Sequence, residues 1–289
     1  MDNHLDNTYQ ERMNQTVRAK LEAVLRYLEP GMKLLDFGSG FSPEFIYQIE
    51  KRGVTYHAFD VSPTVQRQLS VHGTVCLKDL TEKIEYYDVI FASSVFHELV
   101  SYKTESECTT IVRNLMNTLK QYGKIIIRDW DFPIQIDNEE TRKVVPFRME
   151  KLVEIRQWCD VLLENKIIEW FEIDTKKYTV TATEFDMLQI MFHVTWGLGA
   201  LERESREIYP PMITAYNIVD EATEPDTVVF DTEYDEYDET YLPHLQKYFL
   251  IDKLPWHTKS VLTLMKIPKI NKWVLCEHSQ MCYNKRMEA

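Results

Sequence analysis

The sequence lacks the features that mark membrane, secreted and disulfide-stabilised proteins. No apolar run approaches the roughly 18 residues that a helix needs to cross a bilayer. The beginning of the chain is polar and mixed in charge, without the apolar core of a secretory signal. The five cysteines are few, odd in number and widely spaced, which is typical of free thiols in a reducing compartment. We therefore expect a soluble, cytoplasmic protein without a membrane partner.

Positive charge is also scarce in this chain. Lys and Arg number 33 against 46 Asp and Glu, which gives a formal net charge of −13. A stretch between Asp220 and Glu239 holds ten acidic residues and no Lys or Arg, and we expect it to form an acidic loop. An acidic surface repels a phosphate backbone, so nucleic acid is a disfavoured partner, although a local basic strip elsewhere would still permit it.

The first 133 residues alternate short apolar runs with helical patterns. A helical pattern at residues 14–28 precedes five strand-like segments. Strands that alternate with helices predict a parallel, doubly wound α/β sheet. The five predicted strands lie in the segments MKLLDFG, VTYHAFDVS, TVCLKDL, YYDVIFASSVFHEL and GKIIIRDWDFP.

The regular pattern ends near Pro133. Helical patterns and the acidic stretch follow, and strand-like runs return at residues 247–252 and 260–267. A structureless segment of about a hundred residues is improbable in a folded domain, so the intervening part should fold as a helical cap. We therefore predict three parts, which are an N-terminal helix and α/β core (1–133), a helical cap with the acidic stretch (134–243), and closing strands with a tail (244–289).

The strongest chemical signal is the turn DFGSG between the first strand and a helix. Its Gly38 and Gly40 would let the backbone approach a ligand, and the helix beyond offers free N–H groups. Asp60 ends the second strand, and Asp79 with Leu80 ends the third. A carboxylate such as Asp60 can accept hydrogen bonds from both hydroxyls of a ribose. Since the strand ends meet at one edge of a parallel sheet, we expect a nucleoside-like ligand there.

At these residues the chain resembles the class I S-adenosylmethionine-dependent methyltransferases. LLDFGSG, which includes Asp36, is similar to their glycine-rich first motif, and HAFDVS is similar to the second. The resemblance implies that Asp60 binds the ribose and that Asp79, beside Leu80, contacts the adenine amino group. It also implies that Ser93, in the fourth motif, lies beside the methionine part of the cofactor.

The same resemblance covers roughly residues 30–132 and 245–267. It implies a Rossmann-like sheet of seven strands, S-adenosylmethionine as cofactor, and methyl transfer. The helical insertion that the sequence pattern places between strands five and six is not covered by the resemblance. In YGKIIIRDW, Tyr122 stands where the family has a glycine. A dehydrogenase is less favoured because Pro43 occupies the third glycine position of G-x-G-x-x-G. Transfer of the aminocarboxypropyl group would use the same donor motifs.

Three residues near the strand ends are candidates for catalysis. His97 follows the fourth strand, where it would act as a general base or would only cap a helix and pack. Arg128 and Asp129 end the fifth strand, where they would bind the acceptor or form a structural ion pair. Trp130 or Phe132 could face the sulfonium of the cofactor.

Other residues of the insertion and the termini offer weaker signals. Arg203 and Arg206 would grip an anionic acceptor from a lid that contains Trp196, or would belong to a solvated helix face. Tyr9 and Arg12 would close over the methionine carboxylate, as the resemblance implies for the first helix.

Near the end of the chain, three side chains have the chemistry of zinc ligands but no obvious fourth partner, so we predict no metal; they are Cys276, His278 and Cys282.

The predicted function is therefore methyl transfer from S-adenosylmethionine, with a small molecule as the leading class of acceptor. RNA is the second class of acceptor. A module that binds the cofactor without turnover is an alternative of a different kind. The identity of the acceptor and the oligomeric state do not follow from the sequence.

Overall fold

The computed structural model describes residues 17–82, 86–131, 141–222, 227–235, 238–253 and 259–266. In chain order its strands are β1 (Lys33–Phe37), β2 (Thr55–Phe59), β3 (Val75–Leu77), β4 (Tyr87–Ser93), β5 (Leu119–Trp130), β6 (Lys143–Pro146), β7 (Glu172–Asp174), β8 (Thr179–Ala182), β9 (Thr227–Asp235) and β10 (Lys259–Lys266). In chain order its α-helices are α1 (Val17–Leu25), α2 (Pro43–Glu50), α3 (Pro63–His72), α4 (Phe96–Tyr102), α5 (Glu105–Thr118), α6 (Leu152–Glu164), α7 (Glu184–Val194), α8 (Leu201–Glu204), α9 (Met212–Ala222) and α10 (Asp238–Leu245).

Seven strands form one twisted sheet in the order β3-β2-β1-β4-β5-β10-β9. The first five in the sequence pair in parallel, and β10 runs antiparallel to both β5 and β9. The predicted doubly wound α/β sheet is confirmed. Because the five parallel strands point the same way, the residues that follow them share one edge, which we call the carboxyl edge.

Helices cover both faces of this sheet, which is why its central strands carry apolar residues on both faces. Side chains of α1, α2 and α3 pack on one face with Leu34, Phe91 and Ile126. Helices α5 and α9 pack on the other face with Ile90 and Ile127. Within the described residues, no helix is both long and apolar enough to span a membrane.

Local signals set the ends of several elements. Thr104 and Glu107 form a reciprocal capping box that starts α5, and Gly73 ends α3 in the left-handed region with φ +84°. In β5, Tyr122 has φ +62°, a conformation that glycine adopts without strain. The tyrosine therefore occupies a backbone position that explains why the resembled family uses glycine there.

The sixth strand of the sheet is β9, and its position corrects the sequence-based expectation of an acidic loop. The segment TVVFDTEYD combines acidic residues with Val, Thr, Phe and Tyr, which favour strands. It pairs antiparallel with β10 at the outer edge of the sheet. Charged residues suit an edge strand because they oppose pairing with another chain.

The expected closing strand at residues 247–252 is wrong. This apolar run instead packs Tyr248 and Phe249 into the core of the insertion, and Phe249 makes one isolated bridge with Phe147. A short apolar run can form a strand or can pack into a core without one, and its sequence alone does not distinguish the two.

The insertion between β5 and β9 is not all helical. It contains a small antiparallel sheet in the order β6-β8-β7, packed with α6 and α7 around a core of its own. The expectation of a purely helical cap missed these strands because three or four residues carry too little periodicity to be recognised. Helix α9, predicted as part of the cap, packs on α5 and belongs to the layers of the main sheet.

Candidate active site

The glycine turn after β1 is held by contacts with its neighbours in the protein. Gly38 has φ +66° and Gly40 has φ +57°, and the N–H of Gly38 donates to the carbonyl oxygen of Phe59 over 2.8 Å. A Cβ at Gly38 would lie 2.8 Å from Val95 Cβ, and still closer to its Cγ2. Glycine is therefore required at residue 38 both by the backbone angle and by the packing of Val95.

Asp60 joins the glycine turn to the end of β2. Its Oδ2 accepts a hydrogen bond from the N–H of Gly40, and its Oδ1 accepts one from the N–H of Ser62, each over 2.8 Å. Burial raises the pKa of this carboxyl above its ordinary value. The two features that the sequence placed 20 residues apart are thus in direct contact.

Asp79 and Leu80 lie at the end of β3 and differ in burial. Asp79 is exposed, and its Oδ1 accepts a hydrogen bond from Thr81 N over 2.8 Å, which lowers the pKa of the carboxyl. Leu80 is buried in the same cluster as Phe37. This pair therefore offers an apolar surface with a carboxylate at its rim.

Two buried hydroxyl groups near the turn make no hydrogen bond within the described part of the chain. They are the Oγ atoms of Ser93, at the end of β4, and of Ser42, immediately before α2. Buried polar groups are nearly always hydrogen-bonded, so these two atoms fit a site that receives a polar ligand.

Arg128 and Asp129 lie on opposite faces of β5, so they do not form the joint acceptor site that the sequence suggested. Arg128 is fully buried on the face covered by α1. Burial of the Lys20 ammonium group lowers the pKa of Lys20, and the positive charge of Arg128 lowers it further. The sequence interpretation missed Lys20, whose charge acts in turn on Asp36. Tyr56 donates a hydrogen bond to Asp36 over 2.7 Å, and burial raises the pKa of Asp36 to about 6.

On the other face, Asp129 organises the start of α4. Its Oδ2 accepts hydrogen bonds from the N–H groups of Phe96 (2.6 Å) and His97 (3.1 Å). Its Oδ1 accepts from His97 Nδ1 over 2.8 Å, which leaves Nε2 as the ring nitrogen with a lone pair. Burial lowers the pKa of the imidazole, but Asp129 outweighs this effect and the pKa is raised.

The insertion covers this part of the carboxyl edge. The ring centroid of Trp130, at the end of β5, lies 4.1 Å from the ring centroid of Phe192 and 5.8 Å from that of Tyr209. The N–H of Met212 donates to Asp131 Oδ1 over 2.9 Å. The insertion is therefore rooted at the same edge as the glycine turn and His97.

The charged run at 202–207 buries two of its three acidic residues. Glu204 and Glu207 are buried, whereas Arg203 and Arg206 are exposed, which is the reverse of the arrangement expected for an anionic acceptor. Glu207 Oε2 lies 3.8 Å from His97 Nε2. In the sequence, the spacing of three residues between the two glutamates indicates that they share one side of a helical turn, but it does not show that this side is buried.

Among the remaining sequence-predicted candidates, Trp196 lies in the described part of the chain and the others do not. Trp196 is partly buried and packs on Phe192 within the insertion. The remaining candidates fall outside the described residues: Tyr9, Arg12, Phe132, Cys276, His278 and Cys282.

Comparison with known proteins identifies the family. Residues 9–189, more than half of the chain, match the family described as methyltransferase domain. The chain belongs to this methyltransferase family. A search of curated proteins finds no match to it.

Solved structures also resemble this methyltransferase. An S-adenosylmethionine-dependent methyltransferase from Archaeoglobus fulgidus is 13% identical, covers 91% of this chain and 100% of its own, and has a TM-score of 0.51. One from Mesorhizobium loti is 12% identical over 87% of this chain and 96% of its own, with a TM-score of 0.49. The 1,6-didemethyltoxoflavin-N1-methyltransferase from Burkholderia thailandensis is 12% identical over 91% and 82%, with a TM-score of 0.42, and its structure contains S-adenosylhomocysteine. At these identities the likeness concerns the fold alone.

The methyltransferase uses S-adenosylmethionine as its methyl donor. Its glycine turn, the carboxylate of Asp60 and the orphan hydroxyls of Ser42 and Ser93 lie at the carboxyl edge where the fold binds ligands. The residues present therefore fit this cofactor.

Proposed function

We propose that this methyltransferase modifies a small molecule enclosed between the carboxyl edge and the insertion. The observation that supports this most strongly is the contact of Glu207, from the insertion, with the face of α4 that carries His97. An acceptor bound there would be shielded from water on both sides. A long polyanion fits poorly because the inward side chains of the segment 202–207 are carboxylates.

In this proposal the strand ends bind the donor. Asp60 accepts hydrogen bonds from the ribose hydroxyls, and Asp79 and Leu80 meet the adenine. Ser93, with its unpartnered hydroxyl, lies beside the methionine part. S-adenosylmethionine supplies a methyl group that its sulfonium already activates, so the protein contributes chiefly orientation and a dry site.

On the acceptor side, His97 is the general base. Asp129 holds the Nδ1 proton and stabilises the imidazolium that forms when Nε2 takes a proton from the acceptor. Asp129 is a positioning residue in this scheme because it acts through His97. Arg128 has no part in proton transfer, since it lies on the far face of β5.

The insertion would select the acceptor, because its aromatic and acidic side chains form the second wall of the site. This role does not require Arg203 or Arg206, which face outward.

The role of His97 is tested by His97→Asn, which removes the base and keeps a side chain that can donate to Asp129. Turnover should fall about 10²- to 10⁴-fold, while the calorimetric affinity for S-adenosylmethionine stays unchanged. His72→Asn is the matched control, since His72 is exposed at the end of α3. Equal turnover by the two variants would remove His97 from the chemistry.

The class of acceptor is tested separately. The protein is incubated with methyl-labelled S-adenosylmethionine and with small-molecule, RNA and protein fractions of a cell extract. Label should enter the small-molecule fraction and depend on His97. Label in RNA or protein alone would contradict the proposal.

A further inference from the structure

The charge and packing around His97 identify the chemical class of the acceptor, provided that the proposed function holds. The segment 202–207 is the starting point. The side chains of Glu204 and Glu207 are 6% and 10% exposed, whereas the side chain of Arg203 is 48% exposed. Burying carboxylates while leaving the arginine outside costs free energy unless the carboxylates have a partner.

The two buried glutamates differ in their partners. Arg203 Nε donates to Glu204 Oε1 over 2.7 Å and so neutralises it. For Glu207, the described part of the chain offers no Lys or Arg within 4.0 Å. Its nearest groups are the hydroxyls of Tyr102 (3.2 Å) and Tyr209 (3.5 Å), and His97 Nε2 at 3.8 Å. Glu207 therefore lacks a full positive charge beside it.

His97 gives a second, independent observation. Its side chain is 7% exposed, and among the described residues its Nε2 makes no hydrogen bond. The separation of 3.8 Å from Glu207 Oε2 is too long for a direct hydrogen bond. The open imidazole nitrogen of His97 and a buried carboxyl group without a Lys or Arg partner thus face each other at the same place.

Glu98 connects this place to the donor side. It is accessible to solvent, yet partial burial of its carboxyl raises the pKa, and the nearby charges of Asp129, Asp60 and Glu204 raise it further. The charge of Glu98 in turn raises the pKa of His97. The ring of Tyr209 lies 4.9 Å from that of His97, and an aromatic face attracts a cation.

We propose that the acceptor is a basic amine, bound as its ammonium ion by Glu207 and Glu98 beside His97. One N–H of the ammonium donates to Glu207, and another gives its proton to His97 Nε2. The nitrogen lone pair so exposed forms a bond to the methyl carbon while the carbon–sulfur bond of the donor breaks. The products are a methylated ammonium and the neutral thioether S-adenosylhomocysteine, and the proton on His97 is returned to water.

The fold alone does not distinguish an anionic, a neutral and a cationic acceptor, but the charges around His97 do. A carboxylate or phosphate acceptor would meet like charge at Glu98 and Glu207. A neutral hydroxyl would be tolerated but would leave Glu207 without a cation. The ammonium ion alone satisfies both the carboxylates and the open nitrogen of His97.

The deciding experiment uses S-adenosylmethionine with a CD3 group and the small-molecule fraction of a cell extract. Products that gain CD3 are fragmented by mass spectrometry to locate the group. The expected product carries CD3 on a nitrogen that is basic in the unmodified acceptor. CD3 on oxygen, sulfur, carbon or a non-basic nitrogen overturns the inference and leaves the proposed function standing. Absence of any labelled small molecule overturns both.

Variants then test the two carboxylates with the amine so identified. Glu207→Gln and Glu98→Gln should each weaken binding of that amine about 10- to 100-fold, measured by calorimetry with S-adenosylhomocysteine in the donor site. Glu202→Gln, an exposed neighbour on the same segment, should leave that affinity unchanged. If neither Glu207→Gln nor Glu98→Gln differs from Glu202→Gln, the carboxylates do not bind the amine. The Glu98 variant decides the matter if the Glu207 variant fails to fold.

Discussion

The proposed donor side and the proposed acceptor side of this methyltransferase are built in different ways. On the donor side, Gly40 and Asp60 are each fixed by their place at the end of a strand, and backbone N–H groups make most of the contacts. On the acceptor side, His97, Asp129 and Glu207 come from α4, β5 and the insertion. The donor side is thus a property of the sheet, whereas the acceptor side exists only when distant segments pack together.

Because of this difference, substitutions on one side should affect the stability of the fold, and substitutions on the other should affect the choice of acceptor. The glycine turn is packed against Val95, so a change there disturbs the fold and the cofactor together. The carboxyl group of Glu207 contacts side chains and no backbone N–H group among the described residues, so a change there alters charge while the sheet persists. Substitutions on the two sides should therefore give different combinations of lost stability and lost binding.

The largest effect on stability is expected from Gly38→Ala. The added Cβ would meet Val95, and the residue would have to hold φ +66°. We expect the free energy of unfolding in denaturant titrations to fall by about 2–4 kcal/mol, from overpacking and backbone strain together.

Gly31→Ala is the matched control for this change. Gly31 has φ +88° but no atom within 4 Å of the added Cβ, so it should lose only about 1 kcal/mol. Adding Val95→Ala should restore part of the loss in Gly38→Ala. Equal losses at Gly31 and Gly38 would show that packing against Val95 plays no part, which would weaken the contrast between the two sides.

Asp60→Ala should act on cofactor binding. Loss of hydrogen bonds to a carboxylate predicts that S-adenosylmethionine binds more weakly by about 1.5–3 kcal/mol in calorimetry. Asp174→Ala is a suitable control, because Asp174 also accepts two backbone N–H groups, from Lys176 and Lys177, but lies in the insertion. A similar loss of affinity in both variants would mean that Asp60 only shapes its turn.

The geometry of the proposed donor side could be predicted from the sequence because its signals are local. A glycine turn after a strand, followed 20 residues later by an acid after the next strand, needs no knowledge of distant contacts. The acceptor side could be predicted only in part. His97 and Asp129 were candidates, but the sequence paired Asp129 with Arg128, since adjacent residues of a strand look joined until their faces are known.

The inward direction of Glu204 and Glu207 could not be predicted, because a charged run gives no sign of which residues the rest of the chain will cover. The same limit explains the error at β9. Acids dominate the composition of that segment, yet its place at the edge of the sheet permits them.

The smallest predicted effect is a dependence of stability on pH that belongs to the acceptor side. Burial, with Glu204 nearby, raises the pKa of Glu207 to about 8 from an ordinary value of 4.5. As pH rises from 4.5 towards 8, the unfolded chain releases this proton while the folded protein retains it, so stability is lost across that window. Glu207→Gln cannot ionise and still accepts a hydrogen bond from Tyr102. Its free energy of unfolding should equal that of the wild type near pH 4.5 and exceed it by about 1–2 kcal/mol above pH 8.

The charged and titratable groups around Glu207 come from α4, α8 and the segment after α8, and they are His97, Glu98, Tyr102, Glu204 and Tyr209; the exposed Arg203 pairs with Glu204. Because Glu207 acts on the pKa values of His97, Tyr102 and Tyr209, the comparison must be the difference between variant and wild type at each pH. Glu202→Gln should give a difference that does not change with pH, since Glu202 is exposed. A pH-independent gain in Glu207→Gln would mean that the carboxylate is not strained by burial. A gain confined to high pH, in a variant that also binds its acceptor poorly, would show that ionising Glu207 without a cation costs stability, and that the ammonium ion of the acceptor supplies the missing charge.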